Sequence, residues 1–172
     1  VNNRPTICFL VCSMPRSGSS LLCRALRDTG LAGQPEEYFN PRIFSTLMTR
    51  WGTVSRCEAV VRRLIRTGRR PRRLNQRLLN RYVKDLFRHR TSSNGVFGAK
   101  THFHQLTRHV GDFPLESLFP KVKYISVVRN DRVRQAISCW RSLVTGIWNS
   151  EECISVPSVS YSFGDIHRLH CR

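Results

Sequence analysis

The chain has 172 residues, of which 40% are hydrophobic and 23% charged, enough for one modest domain that buries roughly two thirds of its unfolded surface. That excludes a disordered chain and a disulfide miniprotein. The 29 Lys and Arg against 11 Asp and Glu leave a formal charge of +18, which favours anionic partners such as nucleotides, nucleic acid or an acidic membrane surface and says nothing of fold.

The first predicted element is a strand. Thr6 to Ser13 is apolar and β-rich without alternation, the pattern of a strand buried on both faces. Its apolar run, Ile7 to Cys12, is far shorter than the roughly 20 residues that cross a bilayer. With no charged segment or cleavage site around it, no signal peptide is expected, and a start at Val1 rather than Met points to a trimmed or partial gene product. The turn Met14 to Ser20 follows. Leu21, Leu22, Ala25 and Leu26 then recur at helical spacing, with Arg24, Arg27 and Asp28 opposite and Gly30 as a stop.

Gly33 to Phe39 is a Pro-containing loop carrying Glu36 and Glu37, two carboxylates in a chain with few, and the stretch from Pro41 to Trp51 shows no clean period. Leu74, Leu78, Leu79, Tyr82, Val83, Leu86 and Phe87 predict an amphipathic helix over 74–87, which Ser92-Ser93-Asn94-Gly95 ends. Val96 to Thr101 is a second short strand and Val122 to Val128 a third, continuous and β-branched. From Asp131 to Gly146, residues Val133, Ala136, Ile137, Trp140, Leu143 and Val144 trace another helical face that ends at glycine. Buried strands separated by helices predict a parallel α/β sheet. No repeat, low-complexity tract or long linker divides the chain, so residues 1–172 are expected to form one domain.

Seven cysteines, at positions 8, 12, 23, 57, 139, 153 and 171, are odd in number and hold no C-x-x-C pair. Neither a zinc site nor a closed disulfide set is indicated, no metal is expected, and a reducing cytoplasm is the simplest setting. Of the basic residues 25 are Arg and 4 Lys, a ratio that a GC-rich coding bias produces without any need for guanidinium chemistry. The cluster Arg62, Arg63, Arg66, Arg69, Arg70, Arg72 and Arg73 is dense enough to raise nucleic-acid binding. No aromatic residue interleaves it between Arg56 and Arg73, as single-strand binding would ask, so it reads as a solvated basic face that attracts an anionic cofactor or headgroup, and nucleic acid is not the expected partner.

The strongest local signal is Pro15-Arg16-Ser17-Gly18-Ser19-Ser20 between a buried strand and a helix. Such a turn presents backbone N–H groups and the positive helix end to one point, Gly18 lets an anion approach, and Ser19 and Ser20 add hydroxyls, an arrangement suited to phosphate. The spacing G-x-x-x-x-G-K-[ST] is absent, which disfavours an ordinary ATPase or GTPase loop. Arg129, at the end of the third strand, and Ser138, nine residues on, supply a guanidinium fork and a hydroxyl for a second anion, since ligands of open α/β sheets gather at the carboxyl ends of strands. Strand periodicity places Lys100 and His102 on one face; each reads equally as a polar residue at a strand exit.

Four ordered blocks resemble the bacterial trehalose 2-sulfotransferase family: Cys12 to Leu22, Gly30 to Phe39, Asn94 to Lys100, and Arg129-Asn130-Asp131 through Gln135 to Arg141. The resemblance implies a three-layer α/β/α, P-loop-like fold and a sulfotransferase using 3′-phosphoadenosine 5′-phosphosulfate (PAPS). Arg16, Ser17, Gly18, Ser19 and Ser20 would hold the 5′-phosphosulfate, and Arg129 and Ser138 the 3′-phosphate. The carboxylate before the aromatic pair, Glu37, would be the general base, with Arg16 supplying charge to the leaving phosphate. The run Lys100-Thr101-His102 also resembles the cytosolic sulfotransferases of animals, in which the histidine is the base, so His102 stands as a second candidate, and Lys100 could neutralise the transferring group. Gln34 and Tyr38 are the nearest sugar contacts. The acceptor would be a carbohydrate or glycolipid, with trehalose inherited from the family name.

Tyr161 to Leu169 resembles the opening of the family's next helix, and relatives continue beyond it, so the domain is expected to be incomplete at its C-terminus and to pair with another chain, such as a second copy, to cover apolar surface. The alternatives are a catalytically inactive nucleotide- or polyanion-binding remnant and a basic RNA-binding protein.

Overall fold

The computed structural model describes residues 4–53, 76–109, 114–148 and 158–171. The arginine cluster from Arg56 to Arg73 lies outside them. The chain forms two compact units, residues 1–13 with 19–127, and residues 14–18 with 128–172.

The first unit is built on three strands, β1 (Ile7–Ser13), β2 (Val96–Thr101) and β3 (Val122–Val127), in the order β2-β1-β3 with both pairings parallel. β1 is central, as its unbroken apolar run requires. The third strand stops one residue before the expected Val128, which is exposed. Successive side chains of β1 serve different faces. Cys8 and Leu10 join an aromatic core with Tyr38, Phe39, Phe44, Tyr82, Phe87, Phe97 and Phe119, while Phe9 and Val11 pack with Leu22, Cys23 and Leu26. The latter three belong to α1 (Ser19–Asp28). The former face is covered by α2 (Pro41–Arg50) and α3 (Gln76–Arg90). The result is a helix, sheet, helix sandwich, the parallel α/β architecture expected.

Helix α2 was not legible from its period, because Phe44, Leu47 and Met48 alone are buried in its ten residues. Its start carries a local signal nonetheless: the Asn40 side chain accepts from the Arg42 backbone N–H at 3.1 Å, and Pro41 occupies the first turn. Gly98 answers a packing need. It pairs with Phe9 across the β1–β2 ladder, and a Cβ at this position would overlap the Phe9 ring. Two short helices, α4 (Phe103–His109) and α5 (Leu115–Leu118), lie between β2 and β3.

The second unit holds α6 (Arg132–Thr145) and α7 (Phe163–His170). Asp131 caps α6 by accepting from Arg134 N–H at 2.9 Å, and Gly146 ends it at φ 73°, the left-handed backbone that glycine takes without a Cβ penalty. The Trp140 and Tyr161 rings meet at 5.3 Å, tying α6 to the segment that leads into α7. Among the described residues no helix is long and apolar enough to cross a membrane.

Candidate functional site

In the first unit a cluster of polar side chains gathers at the carboxyl ends of β1 and β2, where ligands of parallel sheets bind. Its centre is Glu37. The next two residues, Tyr38 and Phe39, are fully buried, and the Tyr82 hydroxyl donates to the Tyr38 carbonyl at 2.8 Å. The backbone of the loop is therefore anchored in the core immediately after the carboxylate. On the other side Lys100 N–H donates to the Glu36 carbonyl at 2.9 Å, tying the loop to the end of β2.

Four side chains meet the Glu37 carboxylate. Lys100 Nζ is 2.6 Å from Oε1 and His102 Nε2 is 3.5 Å from it. Asn40 Nδ2 and Gln105 Nε2 each donate to Oε2 at 3.0 Å. Burial by itself pushes the Glu37 pKa up. The hydrogen bonds from His102, Lys100 and Asn40 and the Lys100 charge outweigh it, and hold the carboxyl well below the usual carboxylate range. Lys100 has a second partner, donating to Ser20 Oγ at 2.8 Å. His102 Nδ1 lies 2.6 Å from the Ser13 carbonyl, which only accepts, so Nδ1–H donates there, and Nε2, the atom turned to Glu37, donates to the carboxylate in the ring form that carries hydrogens on both nitrogens.

The expected residues Glu37, Lys100, His102 and Ser20 thus come together, with Ser19 buried at the first position of α1. Gln34 is exposed and accepts from Arg90 Nη1. Tyr38 corrects the expectation of a sugar contact: it has no exposed surface, stacks on Phe97 at 6.0 Å and donates its hydroxyl to the Gln34 carbonyl.

Three members of the cluster were missed from sequence: Ser13, Asn40 and Gln105. Gln105 had a signal. It stands three residues after His102, which precedes the helix from Phe103, and its Oε1 accepts from His102 N–H at 3.1 Å, the reciprocal half of a capping box. Its other amide atom is then free to reach Glu37.

The second unit holds the remaining expected residues. Arg16 Nε donates to Ser138 Oγ at 2.8 Å, and a second Arg16 nitrogen donates to the Trp148 carbonyl. Arg129 Nη1 donates to the Arg16 carbonyl at 3.3 Å, and Gln135 Nε2, unforeseen, donates to the Pro15 carbonyl at 2.8 Å. Residues assigned to separate anions, Arg16 on one side and Arg129 with Ser138 on the other, form a single hydrogen-bonded group. Arg16 has φ 64° and Gly18 φ 93°. Alternation of this kind makes successive N–H groups converge into an anion-holding concavity. Nothing stands within 4 Å of where a Gly18 Cβ would be, and Ser17 Oγ is shielded from solvent with no hydrogen-bond partner. A shielded hydroxyl without a partner, two guanidinium groups and converging amides fit a phosphorylated ligand.

A parallel sheet with helices on both faces defines the class, an α/β protein, and a polar cluster stands at its strand ends. The model of the Stf0 sulphotransferase family matches residues 8–153, a span that includes all of these residues, and the chain belongs to that family. It is similar to the trehalose 2-sulfotransferase of Mycolicibacterium smegmatis, with 30% identity over 167 residues covering 86% of this chain and 61% of that protein. It is also similar to the trehalose 2-sulfotransferase of Mycobacterium tuberculosis, with 29% identity over 160 residues covering 81% of this chain and 58% of that one. The chain spans about three fifths of the length of these curated relatives.

Proposed function

We propose that this chain is the part of a sulfotransferase that binds PAPS and removes the proton from a carbohydrate hydroxyl, of trehalose or a related glycan or glycolipid. When bound, PAPS supplies the sulfuryl group and leaves as the bisphosphate. The observation that carries the proposal is the half-buried Glu37 carboxylate, aligned by Lys100, His102, Asn40 and Gln105 at the carboxyl ends of the strands.

Sulfuryl transfer, by analogy with phosphoryl transfer, asks the protein for in-line positioning, charge on the leaving group and a base for the attacking hydroxyl. Arg16, Ser17 and Gly18 hold the 5′ end of the donor with Ser19 and Ser20 at the first turn of α1, and Arg129 and Ser138 hold its 3′-phosphate. Glu37 accepts the hydroxyl proton, and His102 Nε2, 3.5 Å away, keeps the carboxylate turned to its task. Gln34, which is exposed, is the remaining candidate for the sugar. The compartment proposed is the cytoplasm, on the ground that Cys8, Cys12, Cys23 and Cys171 are thiols.

Calorimetric titration with adenosine 3′,5′-bisphosphate, followed by radiolabelled sulfate transfer to a panel of disaccharides, tests the proposal. Saturable binding with transfer to one sugar is the expected result. Binding without transfer to any sugar marks a nucleotide-binding protein without catalysis, and affinity for RNA with indifference to the bisphosphate and a steep salt slope marks a basic RNA binder.

A further inference from the structure

Glu37 is held too firmly to serve as a base as it stands. Its Oε1 lies 2.6 Å from Lys100 Nζ, and the Lys100 side chain is only 8% exposed. A carboxylate so stabilised is a weak proton acceptor, because base strength falls with the pKa of the conjugate acid. Lys100 is not bound to Glu37 alone. Its Nζ also donates to Ser20 Oγ at 2.8 Å, in the first turn of α1, a ten-residue helix with no acidic side chain in that turn. One ammonium therefore stands between the carboxylate and the anion-attracting end of a helix. The position of Glu37, by contrast, does not depend on Lys100, since Asn40 and Gln105 hold Oε2 and the buried Tyr38 and Phe39 hold the backbone.

We propose that Lys100 is a clamp on Glu37 which an anion at the first turn of α1 draws away, so that the carboxylate becomes a working base only while the sulfuryl donor is bound. The proposal rests on the donor-binding function above. The phosphosulfate of the donor, or the terminal 5′-phosphate of the bisphosphate, carries about two negative charges beside Ser20 against one on the carboxylate, and competes for the same ammonium. Proton removal is thereby tied to donor occupancy, and Lys100, once drawn to the donor, brings positive charge to the transferring group. Among the described residues the charged and titratable groups that face Glu37 are Lys100 and His102 from the end of β2 and Cys23 of α1, whose thiol pKa is pushed up by burial; Asn40 and Gln105 are neutral. When the Lys100 charge leaves, burial weighs more and Glu37 titrates at higher pH.

The test is a carbon-13 carboxyl NMR titration of the chain labelled in its glutamates, with the Glu37 signal assigned through Glu37→Gln and with bisphosphate binding measured separately by calorimetry. Saturating adenosine 3′,5′-bisphosphate is expected to raise the Glu37 midpoint by about one to three pH units, the range an opposite charge at this distance commands. In Lys100→Met the midpoint is already raised and the ligand moves it far less. The Lys100 Nζ resonance, tractable in a chain with 4 lysines, moves together with Glu37 in the unaltered protein, so the clamp is tested even if the variant does not fold. Bisphosphate that binds but leaves the midpoint or the Lys100 signal unmoved, or moves Glu37 equally in both proteins, overturns the clamp and leaves donor binding standing. Failure of the bisphosphate to bind overturns both.

Discussion

Glu37 and Arg16 each sit on a loop that follows a predicted element, and their surroundings could hardly differ more. Glu37 precedes two fully buried aromatic residues and is met by side chains from β2, α4 and the start of α2. Arg16 sits on a five-residue segment with a left-handed backbone at φ 64°, a conformation costing of order 1–3 kcal/mol for a residue with a side chain. It is kept there by hydrogen bonds to Ser138, Trp148 and Arg129. The core over-determines the carboxylate; a few polar bonds hold the guanidinium. Changes at the first should abolish chemistry without loss of affinity, and changes at the second should weaken affinity with the fold intact.

The largest effect expected under this contrast is that of Glu37→Gln. It keeps the shape of the side chain, exchanges one accepting oxygen for an NH2 donor and removes the proton acceptor, so sulfate transfer falls by about 10²–10⁴-fold, the usual contribution of a positioned base. Calorimetry should find bisphosphate binding retained, and tightened where the loss of the Glu37 charge frees Lys100 for the donor; full activity in this variant would show that Glu37 is not the base. Arg16→Ala should do the reverse. Loss of one charge-assisted contact, worth about 1.5–3 kcal/mol, weakens bisphosphate binding by roughly one to two orders of magnitude while the thermal midpoint stays close to that of the unaltered chain.

Gly98→Ala tests the sheet that carries the carboxylate cluster. The new Cβ meets the Phe9 ring, and overpacking of this kind costs about 1–3 kcal/mol, readable as a lower urea midpoint. Asn40→Ala removes both the cap of α2 and a donor to Glu37, and should cost about 1 kcal/mol by the same measurement. The smallest effect is in the pH dependence of stability. Folded Glu37 titrates below the unfolded value of about 4.3, so its contribution is complete above that value and is lost as the pH falls through the folded one. The gap in urea resistance between the unaltered chain and Glu37→Gln should therefore narrow as the pH drops below about 4 and stay constant above about 6.

Much of the fold could be read from local pattern. The unbroken run Ile7 to Cys12 marks a central strand, the helical spacing of Leu78, Leu79, Tyr82, Val83, Leu86 and Phe87 marks α3, and Gly146 marks the end of α6. Helix α2 escaped because only three of its residues are fully buried, with Ile43 at the edge of the core. Tyr38 was misjudged because an aromatic residue with a hydroxyl looks the same in sequence whether it greets a sugar or fills a core, and the burial of its ring depends on Phe97, far along the chain. Gln105 escaped because its partner lies 68 positions away.

Periodicity and turn chemistry are properties of neighbouring residues, and so the order of strands and helices, the loop after the first strand and the types of the reactive side chains were all present in the linear chain. Which of those side chains touch was not. The contact of His102 with Ser13 spans 89 positions and exists because Cys12 pairs with Thr101 in the parallel ladder; the union of Glu37 with Lys100 follows from the same register and from the burial of Tyr38 and Phe39. Strand register and core packing are settled by contacts distant in sequence, and it is those that brought a loop acid and a buried strand-end lysine into an ion pair.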